Sequence, residues 1–222
     1  MKGTMREGFA IYPDVISVAE CDQLLSRLNS ECASGKAGER NLFARDEVHR
    51  LAFDPRLVGI AKEFLGSAIP YKAILFDKSS KSNWLVPWHQ DRVLPMRNRI
   101  PDSEWGPWTV KNQIQFAHAP KWALDRVVAL RVHLDDSTEA NGPLRVIPRS
   151  HLFGVLDQDQ VIRRAAAAHP VACTVARGGI IAMHPLLIHS SSKADTNAPR
   201  RVLHIEYAES LRLGENIELA LS

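Results

Sequence analysis

From about residue 70 the chain reads as strand after strand with no helices alternating between them. This pattern restricts the fold more than any other feature. Strand-like runs occupy 70–77, 86–91, 108–116, 127–135, 143–148, 171–176, 180–189 and 201–208. Turn signals such as Asn141-Gly142-Pro143 and Gly178-Gly179 separate them. A doubly wound α/β fold needs a helix between successive strands, and only one short helix, about 158–168, interrupts these. Two helices come before them. Ser17-Val18-Ala19-Glu20 is a capping-box pattern ahead of a helix at about 18–33, with Cys21, Leu24, Leu25 and Leu28 on its inner stripe. Asp54-Pro55 opens a second helix that stops near Gly66 and turns Leu57, Ile60, Ala61 and Phe64 inward. A short strand at 8–12 precedes both. The predicted fold is mainly β: a double-stranded β-helix (jelly-roll, cupin-like) with the N-terminal helices packed outside. One domain is expected over 1–222, helical over about 1–68 and jelly-roll over about 69–210.

Composition narrows the partners. A net charge of +3 with no Lys/Arg run gives no reason to expect nucleic acid. No apolar run approaches the roughly 20 residues of a spanning helix, so no membrane partner is expected. The polar start, Met1 to Gly8, does not resemble a secretory signal. Cys21, Cys32 and Cys173 form no Cys-x-x-Cys pair and read as reduced thiols of a cytoplasmic protein.

Pro87-Trp88-His89-Gln90-Asp91 is the first candidate site. On extended backbone, residues two apart point the same way, so His89 and Asp91 can offer an imidazole and a carboxylate to one ion. A second histidine would complete the facial triad of non-haem Fe(II), which leaves open positions for oxygen chemistry. The pair alone is weak. With nine His and 13 Asp, a His-x-Asp arises by accident in about half of chains of this length. Two rivals, His133-Leu134-Asp135 and His204-Ile205-Glu206, are present. In the run 180–189 the apolar chain ends at His189 and passes into Ser190-Ser191-Ser192, as a buried strand does where it emerges. Downstream, Arg200 opens another strand, and a guanidinium suits bidentate pairing with a carboxylate. A metal triad with such an anchor is what a dicarboxylic 2-oxo acid requires. His184 competes with His189; five positions apart in a regular strand, the two would face opposite sides unless Pro185 disturbs the alternation.

Several of these segments together resemble the phytanoyl-CoA dioxygenase family of Fe(II)/2-oxoglutarate oxygenases, in its bacterial members of unassigned substrate. The resemblance runs from Gly8 to about Ala208. It is carried by Trp88-His89-Gln90-Asp91, by Leu130 to Asp136, by Asn141-Gly142-Pro143-Leu144-Arg145-Val146-Ile147-Pro148-Arg149-Ser150-His151, by Gly178-Gly179 through His189-Ser190-Ser191, and by Arg200-Arg201. It implies that His89, Asp91 and His189 bind Fe(II) and that Arg200, eleven residues past His189, binds 2-oxoglutarate with help from Ser191. It also implies that O2 is consumed and that succinate and CO2 are released. Family halogenases lack the metal carboxylate, so Asp91 implies hydroxylation or a related oxidation instead. Arg149 stands where the family usually has glycine. The rival readings are a cupin-like metalloenzyme that does not use 2-oxoglutarate and a non-catalytic jelly-roll binding protein.

Two strands carry polar residues on alternate positions. Ala129, Arg131, His133 and Asp135 share one face, and Arg200, Val202, His204 and Glu206 share another. Because Arg200 should point into the barrel, both faces are expected to line the cavity. Arg131, read as a co-substrate-side group, then needs an anionic partner: 2-oxoglutarate, the substrate, or an acid such as Glu206. The segment 92–112 carries Arg92, Arg97, Arg99, Trp105, Trp108 and Lys111 with few regular signals and reads as a lid over the iron, although its tryptophans suit core packing equally. The arginines hint at an anionic small-molecule substrate.

Overall fold

The computed structural model describes residues 6–29, 38–39, 42–79, 82–101 and 104–222. In chain order the elements are β1 (Phe9–Tyr12), α1 (Val18–Asn29), β2 (Gly38–Glu39), α2 (Asp46–Ala52), α3 (Pro55–Leu65), β3 (Ile69–Lys78), β4 (Val86–His89), β5 (Val93–Met96), β6 (Trp108–Lys111), β7 (Ile114–His118), α4 (Lys121–Leu124), β8 (Val127–His133), β9 (Leu144–Val146), α5 (Gln158–Ala166), β10 (Val171–Cys173), β11 (Ile180–Met183), β12 (His189–Ser191), β13 (Arg200–Ala208), β14 (Arg212–Gly214) and β15 (Ile217–Glu218). Cys32 and the end of the helix expected over 18–33 lie outside the described residues. Cys21 and Cys173 are buried free thiols.

The helix starts follow the local sequence. Glu20 N–H donates to Ser17 Oγ at 3.2 Å, and Ser17 N–H donates back to the Glu20 carboxylate at 2.7 Å. Asp54 caps α3 by accepting from Arg56 N–H at 2.8 Å, and Gly66 closes it at a positive φ of 82°. Helices of 12 and 11 residues are marginal alone. They are held by packing: Cys21, Leu24, Leu25 and Leu28 of α1, with Leu57, Ile60 and Ala61 of α3, cover Leu130, Val132, Leu203 and Ile205 on the outer face of a large sheet.

That sheet has six strands in the order β1-β11-β8-β13-β3-β2, with β13 paired antiparallel to β3 and β8 along nearly its whole length. A four-stranded sheet, β10-β9-β12-β4, packs on its other side through Leu144, Val146 and Cys173 against Ala129, Ile181 and Met183. This is the jelly-roll with external helices. A three-stranded sheet, β5-β7-β6, and the β14–β15 hairpin flank it. Among the described residues, no helix is long and apolar enough to cross a membrane.

Four local expectations change. The run 180–189 is two strands in different sheets, β11 and β12. The chain turns between them at His184-Pro185, with Leu187 N–H bonded to His184 O at 3.0 Å. Pro185 has no N–H for a ladder, and a crossover replaces the straight strand. The run 108–116 is a hairpin turning at Asn112 and Gln113, both at positive φ, a turn that is obvious in sequence only when glycine supplies it. The segment 92–112 is not irregular. It contains β5 and β6, and Trp105 is buried against Trp122. The short helix α2 lacks a side-chain cap and was not expected. Arg149, where the resemblance leads one to expect glycine, has a left-handed backbone (φ 66°), which costs an L-residue about 1–2 kcal/mol.

Candidate functional site

β4 carries His89, and Asp91 follows just past its end; β12 opens on His189. The two histidines are cross-strand partners, with ring centroids 4.1 Å apart. Each ring is oriented by the carbonyl two residues before it: His89 Nδ1 is 2.8 Å from Pro87 O, and His189 Nδ1 is 2.8 Å from Leu187 O. A carbonyl only accepts, so each Nδ1 carries the proton and each Nε2 presents its lone pair. Those two Nε2 atoms lie 3.6 Å from the two carboxylate oxygens of Asp91, one each. One ligand atom from each of the three residues lies within 4.8 Å of the others. Donor atoms each about 2.1 Å from one cation stand about 3 Å apart, so little contraction is needed to enclose a divalent ion.

The electrostatics of Asp91 and His189 suit this donor set, while against the effect of burial the Asp91 carboxylate raises His89, so a cation bound there would compete with a proton for its Nε2. Burial alone would raise the Asp91 carboxyl, but the imidazoles of His189 and His89 beside it hold it well below the usual carboxylate range. Burial pushes His189 down to about 3, which keeps it neutral and free to ligate. Gln90, between the ligands, points the other way. Its amide donates to Gly154 O and Leu186 O and accepts from Leu156 N–H, pinning the strand end. Asp91 N–H donates to Pro185 O at 2.9 Å, so the crossover that ends β11 also fixes the carboxylate. His184 stands apart: its Nδ1 accepts from Leu186 N–H, and its Nε2 is 3.4 Å from Asp125.

The same cavity, about 140 Å³, is lined by His89, Asp91, His189, Arg131, Ser191 and Arg200. Arg200 opens β13 opposite Lys78 of β3 and is buried, 3% exposed. Its Nη2 donates to Ser191 Oγ at 3.3 Å and its Nε to Asn141 O at 3.3 Å, while Nη1 is buried with no partner. Burial, with Arg131 nearby, pushes Arg200 down to about 10. Lys78, 1% exposed, donates to Ser191 Oγ at 2.8 Å and to Ser192 O. Burial and the neighbouring arginines push it down to about 8. The Ser191 hydroxyl proton goes to Gly142 O at 2.8 Å. Ser191 therefore holds the two cations in place, and in this arrangement its hydroxyl has no proton left to donate elsewhere. Arg200, Lys78 and Arg131 are buried cations with no carboxylate bonded to them among the described residues, and the unpartnered Nη1 of Arg200 favours a nearby anion.

Arg131 is buried over the Phe76 ring and bonds His204 Nδ1 at 3.2 Å; among the described residues no acid forms an ion pair with it, although the charge of Asp91 acts on it. Glu206 is used elsewhere. It accepts from Tyr71 and from Lys72 at 2.7 Å, and it lies 3.3 Å from His204 Nε2. Of the faces expected to line the cavity, Ala129, Arg131, Arg200, His204 and Glu206 do so. Asp135 instead pairs with Arg201 at 2.7 Å, because the chain leaves β8 at His133 and alternation ends there. His133 is fully buried, and burial together with Arg131 and Arg200 pushes it down to about 3. Lys78 was missed in the sequence. It shares the alternate face of β3 with Lys72, Ile74 and Phe76, and period-two counting along 70–78 would have found it.

Fold and side chains together define a jelly-roll protein with a His-Asp-His donor set suited to a divalent cation and a cationic pocket beside it. The chain belongs to the phytanoyl-CoA dioxygenase family, whose model it matches over residues 5–202. It is 29% identical over 191 residues to L-proline trans-4-hydroxylase of Streptomyces griseoviridis, an alignment covering 73% of this chain and 63% of the relative. Solved structures share the fold. The epimerase SnoN, in complex with Fe3+, alpha ketoglutarate and nogalamycin RO, matches at TM-score 0.70 and 18% identity over 95% of this chain and 84% of its own. EctD from S. alaskensis with bound Fe matches at TM-score 0.69 and 22% identity over 99% and 85%. AviO1 from Streptomyces viridochromogenes Tue57 matches at TM-score 0.67 and 22% identity over 92% and 91%.

Proposed function

We propose that the protein is an Fe(II)- and 2-oxoglutarate-dependent dioxygenase that hydroxylates a small organic molecule in the cytoplasm. The observation that carries this reading is the convergence of two Nε2 lone pairs on the two oxygens of Asp91, in one cavity with the unpartnered Nη1 of Arg200. When bound, iron and O2 supply the oxidising power, and 2-oxoglutarate leaves as succinate and CO2. The chain's own residues bind and orient. His89, Asp91 and His189 hold the metal on one face. Arg200 and Lys78 pair with the far carboxylate of the diacid, Ser191 keeps both cations aimed, and Arg131 faces the end of the diacid nearer the metal. The relative named above makes free L-proline a first compound to offer it.

Anaerobic titration of the Fe(II) protein with 2-oxoglutarate tests the reading. A weak visible charge-transfer band should appear, and admitting O2 should yield succinate. A protein that takes up Fe(II) but shows neither band nor succinate would not be a 2-oxoglutarate enzyme.

Gly142 provides a more local test. It sits at φ +68°, and an added Cβ would run into Ser192 O and come within 3.0 Å of Lys78 Nζ. Gly142→Ala should cost about 1–2 kcal/mol in left-handed strain and also raise the KM for 2-oxoglutarate, because Lys78 must move. Gly66→Ala also falls at a positive φ (+82°), but in open space, and should lower stability without changing that KM. Equal 2-oxoglutarate kinetics in the two variants would remove Lys78 from the binding site.

A further inference from the structure

The donor set stands between two lobes. One is the cationic pocket of Arg200. The other, about 250 Å³, shares Lys72, His89, Asp91 and Glu206 with it but extends to Arg92, Leu94, Val127 and Pro185. We propose that this second lobe receives the substrate, that the substrate is a small carboxylate, and that Arg92 is the residue that recognises it. The proposal deepens the dioxygenase reading and rests on it.

An inventory of the lobe's polar groups singles out Arg92. Lys72 and Glu206 neutralise each other at 2.7 Å. Asp91 lies between two histidines. All the amide atoms of Gln90 are bonded to backbone. Arg92 alone is charged and has no acidic partner among the described residues; its one bond is from Nη1 to Leu156 O at 2.8 Å. Its neighbour His118 is pushed down by burial and by the Arg92 charge, as expected where no anion offsets that cation. The residue is half-buried, and its own carbonyl accepts from Ala119 N–H at 2.8 Å, so its root is fixed one residue from the metal carboxylate.

Arg92 lines both this lobe and the adjoining cleft of His118 and Lys121, and a guanidinium with unused donors where the two meet matches a carboxylate bidentately. A phosphate dianion usually draws on several donors at once, and here there is one. The remaining wall, Leu94, Val127 and Pro185, suits a hydrocarbon body. The volume lies below the roughly 300–1,000 Å³ of drug-sized ligand pockets, which points to a small metabolite.

The test uses the full chain loaded anaerobically with Fe(II) and 2-oxoglutarate. Small aliphatic and cyclic monocarboxylates, amino acids among them, are each offered beside the matching carboxamide. Broadening of the probe's proton resonances by the iron reports binding close to the metal. At least one carboxylate should bind about 10- to 100-fold more tightly than its amide, as expected for a charge-assisted bond. Arg92→Gln should abolish that preference, and Arg92→Lys should keep part of it. The assignment is overturned if no carboxylate is broadened, if amides bind equally well, or if Arg92→Gln retains the preference. The visible band is read in the same samples. Its absence from the unsubstituted protein defeats the dioxygenase reading and this one with it; its presence without a carboxylate preference defeats only the role given to Arg92.

Discussion

Replacing Asp91 with alanine should eliminate Fe(II) uptake and, with it, turnover. The carboxylate is the only anion of the donor set, and it lies 3.6 Å from both Nε2 atoms. Without it, two neutral imidazoles would face a dication beside the buried Arg131 guanidinium, a poor electrostatic site. Residues that only orient metal ligands cost 10–100-fold in affinity when lost, so loss of a ligand should exceed about 100-fold. Metal analysis after anaerobic dialysis measures this directly. His184→Ala is the control, since the ring of His184 is engaged by Leu186 N–H and Asp125, and it should keep unsubstituted affinity. Retention of iron by Asp91→Ala, or its loss in His184→Ala, would mean that the donor set has been assigned to the wrong residues.

Arg200→Met should separate stability from function. Two charge-assisted bonds to a diacid carboxylate, at about 1.5–3 kcal/mol each, make the expected rise in KM for 2-oxoglutarate about 100-fold or more, with Fe(II) affinity unchanged. The unliganded variant should nonetheless be as stable as the unsubstituted protein, or more so. Burial and the nearby Arg131 hold Arg200 at about 10, lower than a free arginine. A base whose pKa falls on folding is destabilised in its charged form. That cost is fully present below about pH 10, which includes neutrality, and is relieved only as pH rises through and above that value. An apolar side chain of similar length removes it. Added 2-oxoglutarate should then raise the melting temperature of the unsubstituted protein, by about 2.7 kcal/mol of stabilisation at 100 times Kd, and leave Arg200→Met unmoved. A variant that melts far lower while keeping its 2-oxoglutarate affinity would make Arg200 a structural cation.

What could be read from the chain and what could not divide by distance along it. The Ser17–Glu20 box and the Asp54 cap are bonds between neighbours, and they form as their spacing requires. Alternation along 127–133 and 200–206 sorted the core-facing residues Leu130, Val132, Leu203 and Ile205 from the cavity residues Arg131, His204 and Glu206, because a strand's period holds wherever the strand does. It failed at Asp135, where β8 had ended, and at His184–His189, where one apolar run serves two sheets. It failed again for 92–112, whose strands β5 and β6 both pair with β7, from a later segment.

From the sequence alone came two N-terminal helices ahead of a long run of strands, the jelly-roll class, and a short set of residues able to ligate a metal or anchor a diacid. Each follows from local backbone preference and side-chain chemistry, which act over a few residues. Only the tertiary structure set His189 across the ladder from His89, aimed both Nε2 atoms at Asp91 through the carbonyls two residues before each histidine, and buried Lys78 beside Arg200. Those outcomes depend on register between strands about a hundred residues apart. Such register is settled when two sheets close over a shared core, and no window of local sequence contains it.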